Sequence, residues 1–254
     1  MKALILAAGR GRRLWPFTID RPKCLLDLEG ISILRHQLRE LERVGVHQAV
    51  VVCGFGVDKI RNALDARQLH LPVKMLYNPF YAMADNLISL WAARAEMDDA
   101  FLLLNGDGVF HPAIFRRLAE VEEDCCLMVA RKVAYDDDHM KVQIRHDRIV
   151  GIGKHLDPTE ADAAATGVMR FSRDGSEHLK QVLEEVVREP QALKSYFPNA
   201  IQHLIDIGYP ITFREATDLP WADVDTPADL RFVRQHFHLF QDIPQIYEEV
   251  KGSV

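Results

Sequence analysis

Residues 2–23 read KALILAAGRGRRLWPFTIDRPK, an apolar run followed by a glycine-containing basic loop. The apolar start, residues 2–6, is typical of a buried strand in a parallel sheet. The small residues after it predict a loop whose backbone N–H groups can approach a ligand closely. Cations then follow at Arg10, Arg12, Arg13 and Lys23. Backbone donors and cations at the carboxyl end of a strand suit a polyphosphate, so we expect a nucleoside triphosphate to bind here.

Two common phosphate-binding loops do not fit this stretch. The dinucleotide fingerprint needs a third glycine where Leu14 stands, and an acid that ends a second strand about twenty residues later. The next predicted strand, residues 49–53, comes too late for that. A Walker loop needs the sequence Gly-Lys-Ser/Thr, which does not occur in the chain.

The composition is that of an ordinary globular protein. The chain has 254 residues, 48% hydrophobic and 27% charged, enough for one sizeable core. Its net charge of −6 argues against nucleic acid as a main partner. No apolar run approaches the roughly 18 residues of a membrane span, and residues 2–6 are too short for a signal peptide. We therefore expect a soluble, cytoplasmic protein.

The cysteines support the same expectation. Cys24, Cys53, Cys125 and Cys126 lack C-x-x-C spacing, and the last two lie in an apolar run. We expect four reduced, buried thiols, as is usual in a cytoplasmic protein.

Hydrophobic periodicity predicts alternating strands and helices, which is typical of a mostly parallel sheet covered on both faces. A hairpin is predicted over residues 140–154, with its turn near 146–147. Predicted helices cover residues 32–45, 58–67, 85–97, 111–121, 172–189, 196–207 and a segment from 227. Predicted strands cover residues 2–6, 49–53, 73–77, 99–107, 125–130, 166–171 and 211–215.

Two aspartates stand at predicted strand ends. Asp107 closes the strand over residues 99–107 and would face the same crevice as the opening loop, since ligands of α/β sheets bind beyond the carboxyl ends of strands. Bound phosphates need a cation, and Mg²⁺ prefers anionic oxygen ligands. Asp225 precedes a helix start indicated by Thr226 as N-cap, Pro227 and Asp229, and the cap does not require it.

The opening stretch closely resembles the signature of sugar-nucleotide-type nucleotidyltransferases, roughly L-A-A-G-x-G-x-R-L-x-P-x-T followed by P-K. The matching residues are Leu6, Ala7, Ala8, Gly9, Gly11, Arg13, Leu14, Pro16, Thr18, Pro22 and Lys23. The resemblance extends over nearly the whole chain. It implies an α/β, GT-A-like nucleotidyltransferase fold, with a mostly parallel central sheet covered by helices and a small β-hairpin acceptor region.

The resemblance also implies a division of the chain. Residues 1–254 would form a single nucleotidyltransferase domain, with a nucleotide-binding half (1–132) and an acceptor-binding half (133–240). The polar tail, residues 241–254, would serve for docking or as an oligomer contact, which leaves a homodimer possible.

Catalytic and nucleotide-binding roles follow from the same resemblance. Asp107 and Asp225 would bind Mg²⁺, Lys23 would stabilise charge at the α-phosphate, and Arg13 would hold the β- and γ-phosphates. The implied nucleotide contacts are Leu6, Ala7, Ala8, Gly9, Gly11, Arg13, Asn86 and Ser89. For Asn86 and Ser89 the alternative is an ordinary helix cap and a serine that faces the core.

The acceptor would bind in the second half. The resemblance implies contacts from Lys154, at a strand end, and from Gly167, on a strand that lines the acceptor site. A solvated lysine is the alternative for Lys154. Trp221, Tyr196 and Asp223 could form an aromatic and acidic pocket for an amine or a quaternary ammonium group.

The chain most resembles the small cytidylyltransferases that act on phosphocholine and aminoethylphosphonate. This implies that CTP is the favoured nucleotide and that the acceptor is a small phosphorylated or phosphonate compound. Two departures stand out, because Ala163–Ala165 and Phe197–Asn199 replace acidic residues of that family. In addition, Asp223 stands where a glutamate is usual. We expect an acceptor less cationic than choline, with polyol, amino-acid and sugar phosphates all open.

Two other functions stay open. One is a sugar-1-phosphate uridylyl- or thymidylyltransferase, although no G-L-A-Q-A-like base loop is present. The other is a non-catalytic, nucleotide-binding regulatory homologue. Such proteins tend to lose the metal-binding acids or the loop lysine, and Asp107, Asp225 and Lys23 are all retained.

Overall fold

The computed structural model describes residues 1–65 and 70–242. The elements in chain order are β1 (Lys2–Ala7), α1 (Ile33–Arg43), β2 (Gln48–Cys53), α2 (Val57–Asp65), β3 (Val73–Tyr77), α3 (Asn86–Ala92), β4 (Phe101–Asn105), β5 (Gly108–Phe110), α4 (Pro112–Ala119), β6 (Cys125–Ala130), β7 (Lys141–Arg145), β8 (Arg148–Gly153), β9 (Ala163–Phe171), α5 (Arg173–Val186), α6 (Pro198–Asp206), β10 (Thr212–Glu215), β11 (Trp221–Asp223) and α7 (Pro227–Gln235).

The central sheet has the strand order β10-β6-β9-β4-β1-β2-β3. Strand β1 lies in the middle and pairs in parallel with β2 and β4, so that Leu4 stands opposite Val50 and Leu103. Strand β9 runs antiparallel to both of its neighbours, and the β7–β8 hairpin extends from it. The predicted α/β architecture with a mostly parallel sheet is confirmed.

Successive residues of the central strands pack on opposite faces of the sheet, which is why their sequences are apolar throughout. Leu4 and Leu103 belong to an apolar cluster with helices α3, α5 and α6. Ile5 and Leu104 belong to a second cluster with α1 and α4. Burial on both sides leaves the carboxyl ends of β1 and β4 as the accessible edge of the sheet.

A third apolar cluster joins the opening loop to the end of the chain. Leu14 and Leu26, from the loop, pack with Val109 of β5 and with Val224 and Leu230 near α7. The two-stranded β5–β11 sheet lies at the same place. This packing brings the segments that carry Lys23, Asp107 and Asp225 together.

Local signals correctly located several helix ends. Ser32 accepts a hydrogen bond from the Arg35 N–H at 3.3 Å and so caps α1. At α7 the capping box is complete, because Thr226 Oγ1 accepts from the Asp229 N–H at 3.3 Å and Asp229 Oδ2 accepts from the Thr226 N–H at 2.7 Å. Asp229 Oδ2 also accepts from the Asp225 N–H at 3.0 Å, which fixes the backbone of Asp225.

Two predicted elements were wrong in extent. The helix predicted over residues 85–97 ends at Ala92 and is followed by a 3-10 turn over Arg94–Glu96, because buried Met97 continues the apolar pattern beyond the α-helix. Strand β4 ends at Asn105, since the chain turns at Gly106 and Asp107 into β5.

Some predictions fall outside the described residues. Helix α2 is observed from Val57 to Asp65, and the rest of its predicted span, residues 66–67, is not described. The same holds for most of the tail at residues 241–254, to which docking or an oligomer contact was assigned.

The four cysteines are free and buried, as predicted. Burial raises the pKa of Cys53 to about 12 and that of Cys126 to about 11, so both remain thiols at neutral pH. Among residues 1–65 and 70–242, no helix combines the length and apolar character needed to cross a bilayer.

Candidate active site

A cavity of about 680 Å³ opens where the carboxyl ends of β1 and β4 meet the acceptor half. Most predicted site residues lie on its wall. Those predicted to contact nucleotide are Leu6, Ala7, Ala8, Gly9, Arg13, Asn86 and Ser89, and those predicted to contact acceptor are Lys154, Gly167, Tyr196, Trp221 and Asp223. Lys23, Asp107 and Asp225 also lie on the wall.

Gly11 is the predicted contact that does not line the cavity. It has a φ of +60°, which favours glycine, and a Cβ there would lie 3.2 Å from Lys23 Cβ. Gly11 therefore acts on the site by letting the lysine pack against the loop. Of the basic residues, Arg10 lies over the rings of Phe55 and Tyr81 instead of the cavity.

Lys23 links the two predicted metal ligands. Its Nζ donates to Asp107 Oδ2 at 2.6 Å and to Asp225 Oδ1 at 2.5 Å. Burial by itself would lower the pKa of Lys23, but Asp107 and Asp225 outweigh it and the pKa is raised. Residues far apart in sequence thus converge on one charged amine beside the opening loop.

The contact between Lys23 and Asp225 is one step in a longer row of alternating charges. Asp225 Oδ2 lies 2.8 Å from Arg13 Nη2, and Arg13 Nη1 donates to Asp138 Oδ2 at 2.9 Å. Asp138 Oδ1 accepts from Lys154 Nζ at 2.9 Å. We call the six residues Asp107–Lys23–Asp225–Arg13–Asp138–Lys154 the ion-pair chain. It contains every cation to which a phosphate contact was assigned.

Asp138 was missed by the sequence interpretation. It lies in the irregular segment between β6 and β7, within the acidic run Asp136–Asp138. Hydrogen bonding and charge from Lys154, followed by Arg13, hold its pKa below the usual range. The acidic run, just before the predicted acceptor hairpin, was the one signal in the sequence that could have drawn attention to it.

The carboxylates fit a divalent ion that is shared with a substrate. Asp107 Oδ1 is buried and makes no hydrogen bond within the described structure, while both acids reach the position of the Lys23 amine. Across residues 1–65 and 70–242, no group of three or more His, Cys, Asp or Glu side chains could hold a metal alone. Mg²⁺ is commonly bound by one or two carboxylates together with substrate phosphates, and the donor set matches that mode.

Asp223 is a partly buried acid beside this centre. Its Oδ1 makes no hydrogen bond within the described residues. Burial, reinforced by the charges of Asp107 and Asp225, raises its pKa to about 8 against the opposing effect of Lys23 and Lys132.

Asn86 and Ser89 are held by protein partners. Asn86 Oδ1 accepts from the Phe197 N–H at 2.8 Å, which ties α3 to the acceptor half. Ser89 is buried, and its Oγ accepts from Asn78 Nδ2 at 3.0 Å. Both still border the cavity, but the arrangement of Ser89 favours the interpretation as a core-facing serine.

Gly167 permits a close approach between strands. Its φ is +82°, and a Cβ there would lie 2.7 Å from Asn105 Nδ2. A side chain at this position would push Asn105 out of place at the end of β4. Gly167 thus keeps Asn105 in place on the cavity wall, between the nucleotide-binding and acceptor-binding halves of the chain.

Lysines lie over Tyr196 and Trp221, the two aromatic rings predicted for the acceptor pocket. Lys154 Nζ lies 5.5 Å from the centre of the Tyr196 ring, and Lys132 Nζ lies 5.0 Å from that of Trp221. Lys132 also contacts His139 Nε2 at 2.6 Å. Lys132 was missed by the sequence interpretation because it follows β6 without a recognisable motif.

Comparison with known families gives a match to the MobA-like NTP transferase domain over residues 3–188. The chain is 30% identical to CMP-5'-(3-aminopropyl)phosphonate synthase of Streptomyces rubellomurinus, over all of this chain and 41% of that protein. It is 24% identical to choline-phosphate cytidylyltransferase of Streptococcus pneumoniae, over 80% of this chain and 83% of that protein. The chain spans about half the length, or less, of the first three curated relatives that it matches.

Solved structures show the same fold. The inositol-1-phosphate CTP transferase of T. maritima superposes with a TM-score of 0.79 at 24% identity, over 94% of this chain and 95% of that one. The CTP:phosphocholine cytidylyltransferase of Streptococcus pneumoniae gives 0.77 at 19% identity, over 92% and 97%. The predicted GT-A-like nucleotidyltransferase fold is thereby confirmed.

Proposed function

Because the chain belongs to the MobA-like NTP transferase family, we propose that it is a Mg²⁺-dependent cytidylyltransferase. It joins CMP from CTP to a small phosphorylated or phosphonate acceptor and releases pyrophosphate. The observation that carries this proposal is the convergence of Lys23, Asp107 and Asp225 beside the loop over residues 6–9. Cytidylyl transfer is supported by the names of relatives that span most or all of this chain.

The reaction is an in-line displacement at phosphorus. An oxygen of the acceptor's phosphate or phosphonate forms a bond to the α-phosphorus of CTP, and the bond from that phosphorus to the bridging oxygen of pyrophosphate breaks. A phosphomonoester has a second pKa of about 6, so the attacking oxygen is already largely ionised at neutral pH. The reaction therefore requires no general base, and the protein's task is positioning and charge neutralisation.

The ion-pair chain supplies the charges. Lys23 stabilises the α-phosphate, Arg13 holds the departing β- and γ-phosphates, and Lys154 meets the phosphate or phosphonate of the acceptor. In the substrate-free arrangement each of these cations is paired with an aspartate, so the phosphates compete with Asp107, Asp225 and Asp138. Asp107 and Asp225 would hold Mg²⁺, which when bound neutralises charge on the phosphates.

The test is a substrate matrix with pyrophosphate release as the readout. The four common NTPs are each combined with phosphocholine, 2-aminoethylphosphonate, glycerol phosphate, inositol phosphate and glucose 1-phosphate, with and without Mg²⁺. We expect Mg²⁺-dependent release with CTP and a small non-sugar acceptor. Preference for UTP or dTTP with glucose 1-phosphate would replace this proposal by a sugar-nucleotide synthase. Tight nucleotide binding without release in any combination would indicate a regulatory protein.

The reduced thiols and the nucleotide substrate together support a cytoplasmic location. Fractionation of the native host, with detection of the chain, is the measurement that tests it.

A further inference from the structure

Two aromatic rings of the cavity wall, those of Trp221 and Tyr196, each have one of the protein's own ammonium groups over them. An aromatic ring in a binding pocket attracts a cationic ligand when its face is open. Here Lys132 lies over Trp221 and Lys154 lies over Tyr196. A quaternary ammonium or primary amine entering the pocket would meet two positive charges where a choline site offers bare rings.

Lys132 differs from the other cations of the cavity in its partners. Lys23, Arg13 and Lys154 each pair with at least one carboxylate. Within residues 1–65 and 70–242, Lys132 Nζ has His139 Nε2 as its hydrogen-bond partner and no carboxylate within 4.0 Å. It is therefore a cation on the cavity wall whose charge the described protein leaves uncompensated by a direct ion pair.

His139 is a neutral partner for Lys132. Its Nδ1 lies 2.8 Å from Asp136 Oδ1 and 3.0 Å from the Asp136 backbone N, and its Nε2 lies 2.6 Å from Lys132 Nζ. Burial and then the charge of Lys132 keep the pKa of His139 below its ordinary value. The pair positions the ammonium group of Lys132 without neutralising it.

Lys132 is an exposed residue of the cavity wall, and partial desolvation of its ammonium group still carries a cost. This desolvation lowers the pKa of Lys132, while the more distant charges of Asp223 and Asp136 act in the opposite direction. An anionic ligand group at Lys132 would relieve that cost, because a charge-assisted hydrogen bond would replace the missing ion pair. A hydroxyl would leave the charge uncompensated, and an amine would be repelled.

We propose that the acceptor carries a carboxylate at the end distant from its phosphorus, and that Lys132 binds this carboxylate. This inference rests on the proposed function, in which Lys154 meets the phosphate or phosphonate group. The acceptor is thus an anionic carboxyalkyl phosphate or phosphonate, and Lys132 is a residue that determines specificity.

The experiment compares three acceptors that share a phosphonate and a two-carbon chain. They are 3-phosphonopropionate, 2-hydroxyethylphosphonate and 2-aminoethylphosphonate, which differ in the distal carboxylate, hydroxyl or amine. With CTP and Mg²⁺, kcat/KM from pyrophosphate release should be about tenfold or more higher for the carboxylate than for the hydroxyl, the size of one charged hydrogen bond. The amine should be the poorest of the three.

Substitutions at Lys132 should change this order. Lys132→Met should reduce the carboxylate-to-hydroxyl ratio of kcat/KM to near one, and Lys132→Glu should shift the preference towards 2-aminoethylphosphonate. Lys74→Met is the matched control, because Lys74 pairs with Glu96 on the edge strand β3 and lies outside the cavity. It should keep the wild-type ratios. Circular dichroism melts check that each variant is folded.

Two results would overturn the inference while leaving cytidylyl transfer in place. One is a wild-type preference for 2-aminoethylphosphonate or phosphocholine. The other is an equal loss of kcat/KM on all three phosphonates in Lys132→Met, which would place Lys132 at the phosphorus instead.

If no combination of NTP and acceptor releases pyrophosphate, the proposed function fails. Calorimetric binding of the three phosphonates to the full chain then decides the inference, and equal or weaker binding of the carboxylate would refute it.

Discussion

The inner and outer ends of the ion-pair chain differ in their exposure to water. At the inner end, Lys23 is only 12% exposed and lies between Asp107 and Asp225. At the outer end, Arg13 is 53% exposed and Asp138 is 67% exposed. Charges act strongly where water is excluded and weakly where it is not. In the proposed reaction the inner end would serve the chemical step, and the outer end would yield to the substrates that enter.

The opening loop and the cavity wall around Lys132 also differ from each other. The opening loop, residues 6–23, keeps the family pattern at every position that the resemblance requires. The wall around Lys132, by contrast, departs from a choline-type pocket by covering its aromatic rings with ammonium groups.

The largest expected effect is at the inner acids. Asp107→Asn or Asp225→Asn should lower kcat by about 10²- to 10³-fold, because each removes a charge that acts in a water-poor site. The thermal midpoint should change little, since asparagine keeps the size of the side chain. Turnover and differential scanning fluorimetry provide the measurements.

Asp218→Asn is the matched control for that pair. Asp218 forms an ion pair with Arg117 outside the cavity, so its loss should leave turnover unchanged. Wild-type rates in Asp107→Asn or Asp225→Asn would show that the substituted carboxylate takes no part in the reaction. The inner and outer ends of the ion-pair chain would then not differ in function.

Removal of the lysine should come next in size. Lys23→Ala should lower kcat by about 10²-fold, because the α-phosphate loses its cation. It should also raise the pKa of Asp225, which Lys23 lowers against the effect of burial. Kinetics and carboxyl-carbon NMR titration measure the two effects. Lys180→Ala, on the surface of α5, is the control, and an unchanged pKa of Asp225 would show that the contact is absent in solution.

The contribution of Asp223 to the free energy of unfolding should fall as the pH rises, whereas that of an ordinary ion-paired acid increases with pH. Its pKa rises from 3.8 to about 8 on folding, so between these values the folded state holds a proton that the unfolded state has released. Stability from this group is complete below about pH 4 and is lost as the pH rises towards 8. The slope is at most about 1.4 kcal/mol per pH unit.

Asp223→Asn tests this directly, because asparagine does not titrate. The free energy of unfolding of the variant minus that of wild type should be larger at pH 7 than at pH 5. Urea unfolding of both proteins at pH 5, 6 and 7 measures this difference. If the free energies of unfolding of the two proteins changed with pH in the same way, Asp223 would be hydrated and ionised in solution. Water would then reach the inner part of the site as well as the outer end of the ion-pair chain.

The smallest effect is expected at the outer end. Asp138→Asn frees Arg13 and Lys154 from a competitor, so the KM for CTP or for the acceptor should fall about two- to fivefold in low salt. Exposed pairs are worth about 1 kcal/mol or less, and added salt near 1 M should abolish the difference. The neighbouring variant Asp137→Asn is the control. A loss of turnover in Asp138→Asn as large as that in Asp107→Asn would show that the inner and outer ends of the ion-pair chain do not differ.

Local patterns predicted the fold well where one segment carries all the information. The apolar run of β1 and the capping box at Thr226 depend on nearby residues, and both were predicted from the sequence. The extent of α3 was not, because Met97 is buried by tertiary packing and continues a helical pattern that the backbone abandons at Ala92.

The candidate site divides in a similar way. The residues of the opening loop and the two aspartates were named from the chain, and the structure brings Lys23, Asp107 and Asp225 together. Asp138 and Lys132 lie in an irregular segment without periodicity or motif. Their importance comes from partners distant in sequence, Arg13 for one and Trp221 for the other, and the acidic run at residues 136–138 does not indicate which partners these are.

By itself the sequence determined most of the strand and helix order, the small-residue loop after β1 and the acids near it, because hydrophobic periodicity and loop chemistry act over a few residues. Only the tertiary structure decided which charges pair, which acid is buried and which aromatic ring is covered. Those properties depend on distance and on exclusion of water, and both are set when β5, β11 and the segment after β6 pack around the end of β1.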